Sequence, residues 1–197
     1  MAFFGVLISS GRCNGSKMSI KNIWDTNPLF NQSFYSSAIS RDRFILIYRT
    51  IRFDDRSTRE SRFRCSQDKL EPIREIFEII NESFRECYSP GTHITVDERM
   101  VGFRGRCPFR VYIKSKPIRY GMKLWVAADV ETSYLLNIQP YTGKVGNVTE
   151  KKQGERVVKD LMSPFYGTGR GLTTDNFFTS VPLALFLLDK KITLTGA

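Results

Sequence analysis

Two acidic positions in this chain follow short runs of strand-forming residues. Ile94, Thr95 and Val96 lead into Asp97 and Glu98, while Leu172, Thr173 and Thr174 lead into Asp175 and Asn176. Carboxylates fixed at strand ends suit a divalent metal such as magnesium, which takes oxygen ligands and leaves room for water and phosphate. Two such ions about 4 Å apart stabilise both the attacking and the leaving oxygen of phosphoryl transfer. The same residue types also make turns and caps, so spacing alone leaves a structural role open for either aspartate. Asp129 is a third strand-end acid. It falls in a tight hairpin turn and reads as a turn residue.

A cationic track follows the first acid pair. Between Glu98 and Asp129 there is no acidic residue. In that interval Arg99, Arg104, Arg106, Arg110, Lys114, Lys116, Arg119 and Lys123 are interleaved with Phe103, Phe109, Tyr112 and Tyr120. Metal ligands beside such a track point to chemistry on a polyanion. The whole chain carries a formal net charge of +10, a surplus that favours nucleic acid or an anionic surface through counterion release. The apolar run from Phe3 to Ile8 is too short to span a bilayer and has no basic start, so it reads as part of a helix and no membrane partner is expected.

Other chemistries find little support. The single histidine, His93, gives no basis for histidine-centred catalysis, and no phosphate-binding glycine loop or dinucleotide fingerprint is present. The four cysteines, Cys13, Cys65, Cys87 and Cys107, are too scattered for a zinc site and are expected to be reduced thiols of an intracellular protein. A hydrophobic fraction of 41% with 25% charged residues places the chain among folded globular proteins, so disorder is not expected for most of it.

The elements that must position the acids fall into two halves. Residues 1 to about 38 read as helical or irregular, broken at Gly5, Gly11 and Gly15, with a turn at Asn27–Pro28 and Trp24, Leu29, Phe30, Phe34 and Tyr35 as packing material. Ser40 has the position of an N-cap for a helix carrying Phe44, Ile47, Tyr48 and Ile51. Residues 54–64 read as a polar loop. Asp68 and Glu71 have capping-box spacing before a helix whose stripe, Leu70, Ile73, Ile76, Phe77, Ile80, Phe84 and Cys87, is expected to be core. Ser89-Pro90-Gly91 ends it, and the boundary between halves is expected near residue 90. Strands follow at 92–103, 120–129 and 134–141, then a helix at 155–162, a strand at 172–174, a helix from Pro182 and a strand at 192–194. That order makes a mixed sheet with helices on its faces. Its first and fourth strands can lie side by side, bringing Asp97 near Asp175.

The wording around the aspartates is distinctive. The strings TVDERMVGFRGRCPFRVYIKSKPIRYGMKLWVAADVETSY, DDRSTR, DKLEPIREIFE and TTDNFFTSVPLA resemble the piggyBac transposase family, and the resemblance runs from about Phe4 to Gly196. It implies an α/β fold: a partial ribonuclease-H-like mixed sheet with flanking helices, preceded by an all-helical segment. Residues 1–90 would be part of a helical dimerisation and DNA-binding domain, and residues 91–197 the N-terminal part of a catalytic domain with three aspartates. Asp97 and Asp175 would be the first two of these, catalytic and metal-binding, with Mg2+ or Mn2+ as cofactor and no zinc site.

The track Arg99, Arg104, Arg106, Arg110, Lys114, Lys116, Arg119 and Lys123 would be part of the DNA-contacting surface. The resemblance further implies cut-and-paste transposition at TTAA sites as the ancestral activity. Its partners would be transposon ends and target DNA, a homodimer is allowed, and the location would be nuclear. The family's third aspartate lies beyond an insertion that should begin near Ala197, so the chain is expected to be an internal fragment with little or no turnover. The alternative is a domesticated, non-catalytic DNA-binding protein.

Overall fold

The computed structural model describes residues 1–13, 18–25, 27, 33–143 and 150–196. The break expected at Gly15, the turn at Asn27–Pro28 and the apolar Leu29 and Phe30 fall wholly or partly outside the described residues. The chain divides into two compact units, Met1–Arg52 and Phe53–Ala197. No helix among the described residues is long and apolar enough to cross a membrane.

The first unit is helical: α1 (Ala2–Arg12), α2 (Ile20–Ile23), α3 (Ser33–Ala38) and α4 (Arg41–Thr50). Its small core is Phe3, Val6, Ile23, Tyr35 and Phe44. Trp24 leans on Phe44 with ring centroids 4.8 Å apart and satisfies its indole N–H on the Ile39 carbonyl at 2.9 Å. Ser40 stands at the N-cap of α4 as expected, but its side chain makes no capping hydrogen bond.

The second unit opens with a helix where the sequence pattern predicts a loop. α5 (Arg56–Ser66) is strongly polar and buries none of its residues. It forms because its ends and flank are satisfied locally. Asp55 caps it by accepting from the Ser57 N–H at 2.8 Å, and Gln67 closes it in the left-handed conformation at φ 52°. Asp54 receives Arg59 through two nitrogens, at 2.6 and 2.5 Å, and Arg62 at 3.5 Å, while Arg64 pairs with Glu60 one turn back. A tight turn at Glu71–Ile73 precedes α6 (Arg74–Cys87), where Asp68 binds the Leu70 N–H and Arg74 rather than forming the expected capping box. The stripe expected to be core is buried only at Leu70, before the helix; Ile76, Phe77 and Phe84 are half-buried, and Ile73, Ile80 and Cys87 are exposed.

The sheet contains β1 (His93–Gly102), β2 (Val111–Tyr112), β3 (Tyr120–Asp129), β4 (Leu135–Pro140), β5 (Gly171–Thr174) and β6 (Thr193–Gly196). β1 runs antiparallel to β3 and parallel to β5, and β5 runs parallel to β6. β2 and β4 pair with successive parts of β3. This is a mixed sheet with helices beside it, as the pattern predicts; the two-residue β2 is additional. One face of the sheet supplies Ile94, Val96, Trp125, Ala127 and Leu172 to a core completed by Val157, Val158, Leu161 and Met162 of α7 (Gln153–Met162) and by Leu183 and Leu187 of α8 (Val181–Asp189). Burying these aliphatic and aromatic side chains supplies the main drive for the sheet to close, at about 25 cal/mol per Å² of apolar surface.

Polar contacts finish the edges. Among the described residues β4 pairs only with β3, and α6 covers its other edge through Asn81, which accepts from the Ile138 N–H at 2.9 Å and donates to the Ile138 carbonyl at 3.3 Å. Asn81 also donates to the side chain of the buried Asn137 at 2.8 Å, and Asn137 in turn donates to the Leu161 carbonyl of α7 at 2.9 Å. At the hairpin between β3 and β4, Asp129 is 2% exposed and accepts from the N–H groups of Thr132 at 2.8 Å and Gly91 at 2.7 Å. These two donors, Thr132 first, hold its carboxyl below the ordinary carboxylate range. The turn role read from the sequence is the observed one.

These polar contacts set two expectations for stability. Asn81→Ala and Asn137→Ala should each cost about 1–3 kcal/mol, because each leaves buried polar groups without partners, and urea unfolding of the double variant should be less than additive. Asp129 has a depressed folded pKa, so its stabilisation is fully present above the unfolded value of about 3.9 and is lost as the pH falls through the folded value. The melting-temperature gap between the native chain and Asp129→Asn should therefore stay constant from neutral pH to about pH 4 and shrink below it.

Candidate active site and nucleic-acid interface

The parallel pairing of β1 with β5 decides where the two aspartates meet. Val96 is in register with Thr174 on strands about 4.8 Å apart, so Asp97 and Asp175 are the next residues along neighbouring strands. Asp175 is the first residue beyond β5, but Asp97 does not end its strand as the sequence pattern predicts: β1 continues to Gly102, and Asp97 lies opposite Val126 of β3. Both are exposed. Each commits one oxygen to the backbone: Asp97 Oδ1 accepts from the Glu98 N–H at 2.6 Å, and Asp175 Oδ1 accepts from the Phe177 N–H at 3.1 Å. Neither has an ion-pair partner among the described residues, so each keeps its second oxygen for a ligand. Two exposed, unpaired carboxylates side by side fit a hard cation that takes oxygen donors. Among the described residues they are not joined by a third acid, histidine or cysteine in a metal-holding cluster.

The turn after Asp175 is built tightly. Its carbonyl accepts from the N–H groups of Phe178 and Thr179, both at 3.2 Å, and from the Thr179 hydroxyl at 2.8 Å. Asp175 is thus a turn former, and one oxygen of its carboxylate remains outside the hydrogen bonds of the turn. The packing around this turn requires two glycines. A Cβ at Gly154 would lie 2.5 Å from the Phe177 carbonyl oxygen, and one at Gly196 would lie 2.3 Å from the Thr179 side chain.

Behind the aspartates, Glu98 turns to the opposite sheet face and receives two lysines, Lys116 at 3.5 Å and Lys123 at closer range. The Lys123 side chain is only 15% exposed, and its ammonium sits 5.4 Å from the Trp125 ring centroid, 5.3 Å from Phe177 and 5.8 Å from Tyr141. It joins the residue after Asp97 to the turn after Asp175. Lys123 therefore belongs to the frame of the site.

The rest of the cationic track is more available. Arg99, Arg104, Arg106, Arg110, Lys114 and Arg119 are exposed and have no acidic partner among the described residues. Arg110 has a second task, donating to the carbonyls of Arg104 at 3.3 Å and Gly105 at 3.4 Å while lying 5.9 Å from the Tyr120 ring. The buried Phe109 anchors this loop, and Tyr112 and Tyr120 pack against each other across β2 and β3, tilted by 43° with centroids 4.6 Å apart.

The family model described as Transposase IS4 matches residues 1–197. The chain belongs to that transposase family, and its relatives are of the piggyBac type. PiggyBac transposable element-derived protein 3 of Homo sapiens is 26% identical over 186 residues, covering 92% of this chain and 30% of the relative. PiggyBac transposable element-derived protein 2 of Homo sapiens is 25% identical over 197 residues, covering 98% of this chain and 32% of the relative. A cryo-EM structure of the piggyBac transposase synaptic complex with hairpin DNA superposes with a TM-score of 0.80 at 40% identity, covering 99% of this chain and 40% of that one. The chain therefore spans about a third of the length of these curated relatives. Membership agrees with the resemblance carried by the motifs around Asp97 and Asp175.

Sequence reasoning places Asp97 and Asp175 together and misses the frame around them. Lys123 shares one face of β3 with Trp125 and Ala127, and that alternation is the signal that it faces inward. Lys123→Met is expected to lower stability by about 1–3 kcal/mol in urea unfolding, since Glu98 loses its nearer partner. Exchanging the exposed Arg106 for alanine should leave the unfolding midpoint unchanged.

Proposed function

We propose that this chain supplies the metal-binding and DNA-contacting part of a piggyBac-type cut-and-paste transposase. The observation that carries the reading is the β1–β5 register, which makes Asp97 and Asp175 the next residues along neighbouring strands, both exposed and with no ion-pair partner among the described residues. They would hold a divalent cation, Mg2+ or Mn2+. That ion would supply charge stabilisation to a reacting phosphodiester. The chain's own residues keep the two carboxylates in place through the β1–β5 register, and the Glu98–Lys123 pair fixes the strands behind them.

Arg99, Arg104, Arg106, Arg110, Lys114 and Arg119 would contact backbone phosphates, with Lys116 and Lys123 tied to Glu98. The matched synaptic complex contains hairpin DNA, which supports DNA as the partner here. TTAA targets, transposon ends, a homodimer and a nuclear location are proposed with it. A second reading is non-catalytic DNA binding, which the exposed cations without acidic partners among the described residues would serve without the aspartates.

Anisotropy titrations with a TTAA-containing duplex test the binding half. The slope of log affinity against log salt should fall by about 0.9 for each phosphate that the protein no longer neutralises. Arg104→Glu with Arg106→Glu should therefore flatten it, while Lys123→Met should not. Calorimetric titration with Mn2+ tests the metal half, with binding expected in the native chain and abolished in Asp97→Asn and in Asp175→Asn. Metal binding unaffected by either change would remove the two aspartates from the site. DNA binding without metal binding would leave the non-catalytic reading.

A further inference from the structure

A pocket of about 510 Å³ lies between α5 and the turn that opens α6, with Phe63, Pro72 and Pro108 as its apolar walls. A second pocket of about 470 Å³ adjoins it and is lined by Arg104, Arg106 and Arg110. Pro108 is a wall of both. We propose that together they bind one unpaired nucleotide, its base between Phe63 and the two prolines and its phosphate among the arginines. This deepens the DNA-binding reading above and rests on it.

The charge around the apolar pocket selects the occupant. Its acids are already neutralised: Glu60 pairs with Arg64, Asp68 with Arg74 and Glu71 with Arg62. Arg56 on the rim has no acidic partner among the described residues, and Lys69 holds the Thr142 carbonyl at 2.8 Å while keeping its positive charge. Apolar walls with an unneutralised cationic rim suit a flat ring attached to an anion. The volume lies within the usual range for small-ligand sites.

Two of the walls are prolines. Pro72 and Pro108 have fixed backbone rings, and Pro108 is followed by the buried Phe109. Arg110 ties down the loop by its two carbonyl contacts, which leaves Arg104 and Arg106 exposed at its surface. Aromatic and cationic surfaces of this kind bind unpaired bases regardless of their identity, because every base has a stacking face. A base inside a duplex cannot reach the pocket, so the site distinguishes unpaired from paired nucleotides.

Phe63 is 44% exposed on a helix that buries none of its residues, so it can be replaced without disturbing a core. The test uses the 197-residue chain with two duplexes, one fully paired and one carrying a single unpaired fluorescent adenine analogue. The native chain should bind the second more tightly and change the analogue's fluorescence. Phe63→Ala should weaken binding of the unpaired nucleotide by roughly 5- to 150-fold, the range expected when one base no longer stacks, and leave the paired duplex and its salt slope unchanged. Phe63→Trp should retain the preference, and Arg104→Glu with Arg106→Glu should weaken both duplexes. If Phe63→Ala binds both duplexes as the native chain does, or the analogue's fluorescence does not respond, the pocket is not a nucleotide site although DNA binding stands. If the native chain binds neither duplex, this proposal and the DNA-binding reading fall together.

Discussion

The parallel pairing of β1 with β5 is the constraint on which the rest of this structure depends. Asp97 and Asp175 come from distant parts of the chain, and a one-residue slip in that pairing would turn one carboxylate to the other sheet face. Three features hold the register. Ile94, Val96 and Leu172 are essentially unexposed, so slippage would bring polar neighbours into the core and expose apolar ones. Arg170, just before β5, donates to the carbonyls of Gly91 at 2.8 Å and Pro90 at 2.9 Å, immediately before β1. Asp129 takes the Gly91 N–H from the other side. The entry to β1 is thus held by a cation on its carbonyls and an anion on its amide, remote from the carboxylates whose alignment it sets.

The same separation of tasks runs through the positive charge. A net charge of +10 invites the view that every cation is a contact for a polyanion. Geometry divides them instead. Arg59 and Arg62 satisfy Asp54, Arg74 satisfies Asp68, and Lys123 lies among three aromatic rings against Glu98. These charges are used to build the fold, and a ligand competing for them would have to break an existing pair. Arg104 and Arg106 on the exposed loop have no acidic partner among the described residues and face no such competition.

What can be read in the sequence follows from what periodicity records. Alternation and β-branched runs locate β1, β3, β4, β5 and β6, because each strand has one face on a single apolar core. The turn role of Asp129 is legible for a similar local reason. α5 is not, since it has no apolar stripe and its stability comes from a cap and ion pairs that a hydrophobic pattern does not register. β2 is two residues long and too short to carry a period. α6 fails the other way: its stripe is strongly periodic, yet its hold on the sheet is polar, through Asn81 to the edge of β4. Periodicity identifies an amphipathic helix but does not say which neighbour meets its apolar side.

The two halves of the proposed site therefore differ in mechanical character. The aspartates are fixed by strands whose inner faces are buried, and the turn beyond Asp175 admits no added Cβ at Gly154 or Gly196 without movement. Changes near them act on the core and on both carboxylates together. The cations sit on a loop held by Phe109 and two Arg110 hydrogen bonds, where most side chains are exposed and single exchanges disturb little packing. Binding can thus be tuned or removed one residue at a time, whereas the carboxylate pair persists for as long as the sheet folds. Any change that spares the β1–β5 register would leave Asp97 and Asp175 adjacent, so their alignment follows the integrity of the sheet.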